Sequence, residues 1–321
     1  MKISEAFKKG AHNVLQSKRY VLLAYVISVL LALVLAVALS ASLTDSLGNS
    51  LAGENLRKGF DPLWYSNFSA AARGLSTTFE PGVVGIGAVL KGLDQMLGGE
   101  IFHNDVAIAG VGILYLLLWT FFSAGFISLY AASEGQPSFV ERAAAFFPRF
   151  LLLAALAGVA YFLLFHFVLN WLNNAVEELT RETIDERVHF AYVAVKYGVV
   201  WLLVVGINLI FDYSKIFVVL KNHANALSAP WHAMRTVFSN FGSTFGLYLS
   251  IGAVWVVLIL LYWLVAPGAG QSSWLTIAGA FFLGQIYLLV RIGTRCLFYA
   301  GQTAMFEAVT STDHESDGYT A

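Results

Sequence analysis

Long apolar segments without charged side chains alternate with short polar segments along the chain. A helix needs about 20 apolar residues to cross a bilayer core of about 30 Å, and six segments of this chain reach that length. The predicted spans are Tyr20–Thr44, Val106–Ser133, Phe150–Val176, Phe190–Phe211, Gly242–Val265 and Trp274–Leu297. Pro267 and Gly268 mark the turn between the last two spans, because proline and glycine interrupt helices.

Each odd-numbered span follows a short segment whose apolar residues recur at helical spacing. These residues are Phe7, Ala11 and Val14 in the first segment, Phe139, Ala143 and Phe146 in the second, and Trp231, Met234 and Phe238 in the third. The spacing places each set on one face of a helix. The pattern therefore predicts an all-α, polytopic membrane protein in which six transmembrane helices form three helical hairpins, each preceded by a cytoplasmic amphipathic helix.

We expect a single membrane domain over residues 1–321. Hairpin 1 covers about 4–133, hairpin 2 about 137–222 and hairpin 3 about 228–308, and residues 309–321 form a flexible acidic tail. Hairpin 1 includes an outer loop at 45–105. In this loop Asp61 and Pro62 predict a helix start, and the apolar residues from Ile86 to Leu97 predict a second helix. We expect these helices on the outer membrane surface or across the outer ends of the spans.

The composition supports a membrane protein. Of the 321 residues, 58% are hydrophobic and 12% are charged, whereas about a quarter of the residues in a soluble domain are charged. This excludes a soluble globular domain and a disordered chain. A net charge of −1 gives the chain no general attraction for nucleic acid. The single cysteine, Cys296, excludes a disulfide within the chain.

The charges also predict the orientation. With both termini cytoplasmic, the inner segments hold 12 of the 19 Lys and Arg residues, and 8 of the 20 Asp and Glu residues. The outer segments hold six basic and twelve acidic residues. An excess of basic residues is typical of the cytoplasmic side, so both termini are predicted to be cytoplasmic. The first apolar segment is longer than the core of a signal peptide, and we expect it to be retained as a span.

Four short segments carry a resemblance to a known group of proteins. They are Gly59–Tyr65, Tyr115–Trp119, Phe211–Ile216 and Gly284–Leu289. Together they resemble a family of uncharacterised bacterial six-helix inner-membrane proteins. The resemblance implies the fold and a location in the bacterial inner (plasma) membrane. It implies no catalytic residue, because the family has no assigned activity.

Ionisable groups inside a span are candidates for function, because burying them in hydrocarbon costs about 2.5 kcal/mol or more. Lys196 is such a group on span four. It either reaches the interface or the outer carboxylates of Glu178, Glu182 and Asp185, or it acts as the counter-charge of a substrate or ion.

On span three, His166 and Asn170 lie one turn apart on one helix face. They either make hydrogen bonds to a neighbouring helix, or the imidazole binds a haem or pigment or relays protons.

A second candidate site lies at the cytoplasmic ends of spans four and six. Its residues are Asn208, Asp212 and Lys215 on span four, and Gln285, Arg291 and Arg295 on span six. Asp212 either pairs with Arg291 or Arg295 and closes the bundle, or the arginines bind the phosphate of a lipid head group.

Sequence motifs for soluble chemistry are absent. The chain contains no phosphate-binding Gly-x-x-x-x-Gly-Lys-Ser/Thr loop, no His-Glu-x-x-His and no Gly-x-Ser-x-Gly. We therefore expect a non-enzymatic protein without a cofactor, metal or nucleotide. The sequence favours a structural or accessory subunit of a larger membrane assembly, with membrane lipids and other proteins as partners. The alternative is a small transporter or lipid-handling protein.

Overall fold

The computed structural model describes residues 2–48, 51–58, 60–81, 83, 85–98, 106–131, 138–182, 185–222, 225–266, 268 and 273–317. All regular elements in these ranges are helical. The α-helices are α1 (Ile3–Gln16), α2 (Lys18–Leu47), α3 (Ala52–Lys58), α4 (Pro62–Ala71), α5 (Ile86–Gly98), α6 (Val106–Tyr130), α7 (Phe139–Leu163), α8 (Leu169–Thr180), α9 (Glu186–Leu220), α10 (Ala229–Ser239), α11 (Phe241–Val265) and α12 (Trp274–Asp317). A 3-10 turn covers Gly74–Thr78, and a π-helical turn at Leu164–Val168 joins α7 to α8.

Six helical segments in the described part of the chain are long and apolar enough to cross a membrane. They are Lys18–Leu47, Gly110–Tyr130, Phe139–Thr180, Glu186–Leu220, Phe241–Val265 and Trp274–Thr310. The prediction of six spanning helices is confirmed, and the chain is a multi-pass helical membrane protein. Several helices are longer than the predicted spans. The fourth, for example, continues nine residues beyond Phe211 to Leu220.

The three predicted lead-in segments are all helical, but they differ in how they join the spans. Ser17 separates α1 from α2, and Asn240 separates α10 from α11. The second segment is instead continuous with its span, because α7 runs from Phe139 through Pro148 to Leu163. The cytoplasmic, interfacial position of these segments stays a prediction.

The helices pack most tightly at one end of the bundle. We call it the proximal end; it carries α1, α10, Tyr130 at the end of α6 and Leu220 at the end of α9. Fully buried apolar side chains of this region include Phe126, Phe150, Ile216, Leu247 and Met305. α1 lies along the last part of α12, and α10 packs on α9. The core of the protein is therefore concentrated in the proximal half.

The opposite, distal half of the bundle is loosely packed. Residues 112–117 of α6 and 273–277 at the start of α12 are exposed on all faces, and none of residues 25–48 of α2 is buried. α7 and α8 still pack along α9, and α11 along α12. The exposed side chains are mostly apolar, which suits contact with lipid chains.

The loop between α2 and α6 crosses the distal end. α4 begins at Pro62 with Asp61 as its N-cap, and α5 covers Ile86–Gly98, so both predicted helices are present. The 3-10 turn contacts α2 and α6, whereas α5 contacts α9 and α11.

The C-terminal segment, predicted as a flexible tail over 309–321, is helical in its first part. α12 continues to Asp317, and residues 318–321 lie outside the described residues. The chain has no proline or glycine between Gly301 and Gly318. Helical structure does not decide whether this segment is flexible, so the flexible tail stays a prediction.

Candidate functional site

An ion pair lies inside the proximal half of α9. Lys215 Nζ is 3.1 Å from Asp212 Oδ1, and the two side chains are 18% and 17% exposed. Asp212 precedes the end of α9 at Leu220 by eight residues, which is about 12 Å of helix at 1.5 Å per residue. The pair therefore lies about two turns before the end of α9, and its predicted position at the cytoplasmic end of the span stays a prediction.

A second cation, Arg295 on α12, lies beside this pair. Its guanidinium carbon is 4.3 Å from the ring centroid of Trp119 on α6. Its Nε donates a hydrogen bond to the Tyr299 hydroxyl at 3.3 Å, and Trp119 Nε1 donates to the same oxygen at 3.2 Å. The ring of Tyr299 is also 5.9 Å from Lys215 Nζ. Tyr299 thus links Arg295, Trp119 and the ion pair.

Three further tyrosines surround these groups. The hydroxyls of Tyr161 on α7 and Tyr248 on α11 are close enough to interact electrostatically with Asp212. Tyr115 on α6 interacts in the same way with Arg295. We use the term charged centre for Asp212, Lys215 and Arg295 together with Trp119 and Tyr299. Side chains of three spanning helices, α6, α9 and α12, therefore meet in the charged centre, and tyrosines of α7 and α11 lie within range of its charge.

The guanidinium of Arg295 has N–H groups that donate no hydrogen bond to the described part of the chain. Arg295 is exposed, although its neighbours Thr294 and Cys296 are buried. A guanidinium carries five N–H groups. Within the described part of the chain, Arg295 donates a hydrogen bond through its Nε–H group. None of the ion pairs among the described residues includes Arg295. The planar Nη1 and Nη2 groups match a carboxylate or phosphate, which they can bind with two parallel hydrogen bonds.

The predicted pairing of Asp212 with Arg291 or Arg295 differs from the structure. Asp212 pairs with Lys215, and no ion pair in the described ranges joins Asp212 to either arginine. Residues three apart on a helix are neighbours, so Lys215 reaches Asp212 without crossing to another helix. Arg291 lies one turn distal to Arg295 and is exposed, and Asn208 is half-buried one turn distal to Asp212.

Gln285 has a partner on another helix. The hydroxyl of Tyr25 on α2 donates to Gln285 Oε1 at 3.0 Å. This hydrogen bond connects the first and last spanning helices about ten residues distal to Arg295. Gln285 is therefore separate from the charged centre.

Lys196 is held by an amide rather than by the predicted carboxylates. Its Nζ donates to Asn173 Oδ1 at 3.0 Å and lies 4.5 Å from the ring centroid of Tyr197. The register of α8 against α9 explains the difference. Thr180 bonds to His189 near the connection of the two helices, so Lys196, seven residues further along α9, faces Asn173, seven residues back on α8. The acidic residues Glu178, Glu182 and Asp185 lie closer to the connection.

His166 lies in the π-helical turn between α7 and α8. Its ring stacks on Phe162 at 5.1 Å and meets the edge of Phe167 at 4.9 Å. Asn170 Nδ2 donates to the His166 carbonyl at 2.7 Å, within the same spanning segment. The predicted hydrogen bonds from these side chains to another helix do not occur in the described part of the chain. The ring contacts of His166 are with these phenylalanines and not with residues of the charged centre.

Two arginines that the sequence analysis did not single out stabilise the proximal helix ends. Arg142 Nη1 donates to the Ser128 carbonyl in the last turn of α6 at 2.9 Å. Arg149 Nη1 donates to the carbonyl of Asn222, just beyond the end of α9. The last carbonyls of a helix lack partners within it, and a cation near them is favourable. A cleft of about 560 Å³ lies between these groups. Arg142 and Arg149 are seven residues apart, which places them on one face of α7, and this spacing could have indicated them in the sequence.

Comparison with protein-family models, curated proteins and solved structures finds no significant match to this chain. Among the residues that the structure describes, no three His, Cys, Asp or Glu side chains are grouped so that they could hold a metal ion. We therefore infer the function from the geometry of the charged centre.

Proposed function

We propose that this protein is a non-enzymatic membrane protein that binds an anionic amphiphile, such as a lipid, at the charged centre. The observation that carries the proposal is the exposed side of the Arg295 guanidinium, which forms no ion pair among the described residues although it lies beside Asp212 and Lys215. A cation inside a membrane protein is costly unless it is paired, and a bound anion would provide the missing partner. This is the lipid-handling alternative that the sequence left open.

The packing of the bundle favours an amphiphile over a small soluble anion. Distal to the charged centre, α6 and α12 expose apolar side chains on all faces, including Ile113, Leu116, Phe281 and Phe282. The apolar chain of a lipid is stable in contact with such side chains, whereas a hydrated ion would lose its water there. The anionic head would lie at Arg295, with its chain along the distal half.

The test measures lipids that stay bound to the full-length protein after purification in mild detergent, by native mass spectrometry. We expect bound anionic lipid in the wild type and a loss of about tenfold or more in Arg295→Gln, because a charge-assisted contact is removed. Arg291→Gln, one turn away, is the matched control and keeps the lipid. A parallel titration with inorganic phosphate and acetate distinguishes a soluble anion from a lipid head. Equal lipid binding by wild type and Arg295→Gln would refute the proposal.

A second proposed role is that of an accessory subunit in a membrane assembly, which the sequence favoured. One observation supports it: the distal half of α2 has no buried residue and presents small side chains at Ala36, Ser40, Ala41 and Thr44 along a shallow groove. Small residues let transmembrane helices approach closely. Ala36→Leu and Ser40→Leu would then reduce co-purification of partner proteins, and Leu30→Ala, an exposed position, would not. A wild-type protein that purifies as a single monomer would count against this role.

We also propose that the protein lies in a bacterial inner membrane with both termini cytoplasmic. The excess of Lys and Arg in the segments assigned to the cytoplasm supports this orientation. Single cysteines at Ser4 and at Asn67, in a Cys296→Ala background, test it with a membrane-impermeant maleimide on intact cells. We expect labelling at position 67 and protection at position 4, and the opposite result would reverse the orientation.

A further inference from the structure

We infer that the head group bound at the charged centre carries a single negative charge; this inference depends on the proposed binding function. The centre holds two cations, Lys215 and Arg295, and one anion, Asp212. The ion pair between Asp212 and Lys215 is closed at 3.1 Å, so these two charges compensate each other. The centre therefore carries a net charge of +1, and Arg295, on which Asp212 also acts electrostatically, is its cation outside the ion pair.

The groups around the centre add no further charge. The side chains that interact with Arg295 or Asp212 from the neighbouring helices are the phenols Tyr115, Tyr161 and Tyr248. Arg291 is one turn distal, and its electrostatic contact is with Tyr287. The charge available to a ligand is thus one, and it is located on a single guanidinium.

Charge matching is strict in this setting because uncompensated charge is costly inside a membrane. A singly charged head leaves the complex neutral. A doubly charged head, such as a phosphomonoester above pH 7, leaves one negative charge beside Asp212. A zwitterionic head brings its own cation close to Arg295 and Lys215. One negative charge is therefore the best match.

The geometry of the donors agrees with this charge. The Tyr299 hydroxyl oxygen accepts from Arg295 Nε and Trp119 Nε1, so its own O–H remains to donate. The parallel Nη1 and Nη2 groups of Arg295 and the Tyr299 O–H then offer donors to two or more oxygens of one head group. A phosphodiester has two free oxygens and one charge, as does a carboxylate. These two chemical classes are the expected heads.

The experiment compares lipid binding to the full-length protein in nanodiscs at pH 8.5. Four probes are used: dioleoyl phosphatidylglycerol, oleate, dioleoyl phosphatidic acid and dioleoyl phosphatidylcholine. We expect the first two to bind at least about tenfold more tightly than the last two, the ratio that corresponds to one poorly compensated charge. Inorganic phosphate and acetate, added as competitors, separate a head group from a free anion. Competition by these soluble anions at the concentrations of the lipids would refute an amphiphile as the ligand.

Two variants test the charge count directly. Asp212→Asn raises the net charge of the centre to +2, so phosphatidic acid should gain at least about tenfold relative to phosphatidylglycerol. Lys215→Gln lowers the net charge to zero, so the preference for singly charged lipids over phosphatidylcholine should disappear. If Asp212→Asn does not fold, Lys215→Gln still gives a result. The control Arg291→Gln should keep the wild-type order.

The outcomes separate this inference from the proposed function. Equal binding of phosphatidylglycerol and phosphatidic acid, unchanged by either variant, would overturn the single-charge inference and leave the anionic lipid site in place. Failure of all anionic lipids to bind better than phosphatidylcholine would overturn both. Binding in the expected order, shifted by Asp212→Asn, supports both.

Discussion

The Cα of Gly10 on α1 lies directly against the backbone of Gly301 on α12. A Cβ atom at position 10 would be 2.8 Å from the Gly301 nitrogen and 2.9 Å from its Cα. On the same helix Ala6 is fully buried, and Lys9 Nζ pairs with Glu307 Oε2 at 3.2 Å. Glycine is needed at position 10 because two helix backbones touch there. This contact attaches α1 to the end of the last spanning helix.

The first prediction is that Gly10→Ala destabilises the protein by about 1–3 kcal/mol, because the methyl group meets backbone that cannot rotate away. Thermal unfolding in detergent measures the loss, and proteolysis within α1 should become faster. Gly92→Ala on α5 is the matched control, since nothing lies within 4 Å of its Cβ position. There we expect no loss, or a gain of up to about 1 kcal/mol from helix propensity. Equal effects of both variants would contradict the contact.

The second prediction concerns Tyr299 in the charged centre. Tyr299→Phe removes the oxygen that accepts from Arg295 Nε and Trp119 Nε1, leaving both donors without that partner. We expect anionic lipid to bind about tenfold less tightly, since a hydrogen bond to a charged group contributes about 1.5–3 kcal/mol. Tyr192→Phe, at an exposed position on α9, should bind lipid like the wild type. Native mass spectrometry measures both, and unchanged binding in Tyr299→Phe would argue against its role.

The third prediction tests the proximal helix ends. Arg149→Gln removes the cation that donates to the Asn222 carbonyl and lies 5.8 Å from the Phe146 ring centroid. We expect a loss of about 1–2 kcal/mol in the free energy of unfolding, because the end of α9 loses a charged partner. Arg235→Gln, at an exposed position of α10, should change stability by less than about 0.5 kcal/mol. A loss that is no larger in Arg149→Gln than in Arg235→Gln would show that the arginine does not stabilise this end.

The fourth prediction concerns Lys196 and its amide partner. Asn173→Ala leaves the Lys196 ammonium inside the membrane without its hydrogen bond at 3.0 Å, so we expect lower stability. In the double variant Asn173→Ala with Lys196→Met the charge is gone, and stability should recover. The double-mutant cycle measures the coupling, expected at about 0.5–3 kcal/mol for residues in contact. Strictly additive effects would mean that the hydrogen bond does not stabilise the protein.

The fifth prediction is a pH effect at the distal loop. The backbone N–H of Trp64, helped by Asn55 and the N–H of Leu63, holds the pKa of Asp61 below its ordinary value. A lowered pKa means that the ionised cap stabilises α4 at any pH above about 4, and that this contribution is lost as the pH falls through the lower folded value. Hydrogen exchange of α4 should therefore lose protection below about pH 4 in the wild type. Asp61→Asn, which caps without ionising, should show no such change; the same acid response in both would contradict the cap.

Some features of the fold could be read from the chain because their causes are local. The length of a helix that crosses a bilayer depends on a run of apolar residues, so the number and the approximate positions of the six spans were predictable, although several of the helices continue beyond the predicted ends. The start of α4 was predictable as well, because the carboxylate of Asp61 accepts hydrogen bonds from Leu63 and Trp64, two and three residues away. The continuation of α12 from Leu297, the end of the predicted span, to Asp317 could not be predicted in this way, because an apolar run does not report where a polar helix end lies.

The partners of the polar side chains were decided by the tertiary structure. Lys196 bonds to Asn173 because of the register of α8 against α9, and no pattern in the sequence reports that register. Trp119 and Tyr299 are 180 residues apart in the chain, and only the crossing of α6 and α12 brings them to 3.2 Å. The sequence by itself determined that this chain crosses a membrane six times and that charge inside it is scarce. Asp212 pairs with Lys215 because the two residues are three apart on one helix. The tertiary structure decided that Arg295 lies beside Trp119 and Tyr299, because packing and not chain order makes residues of α6 and α12 neighbours.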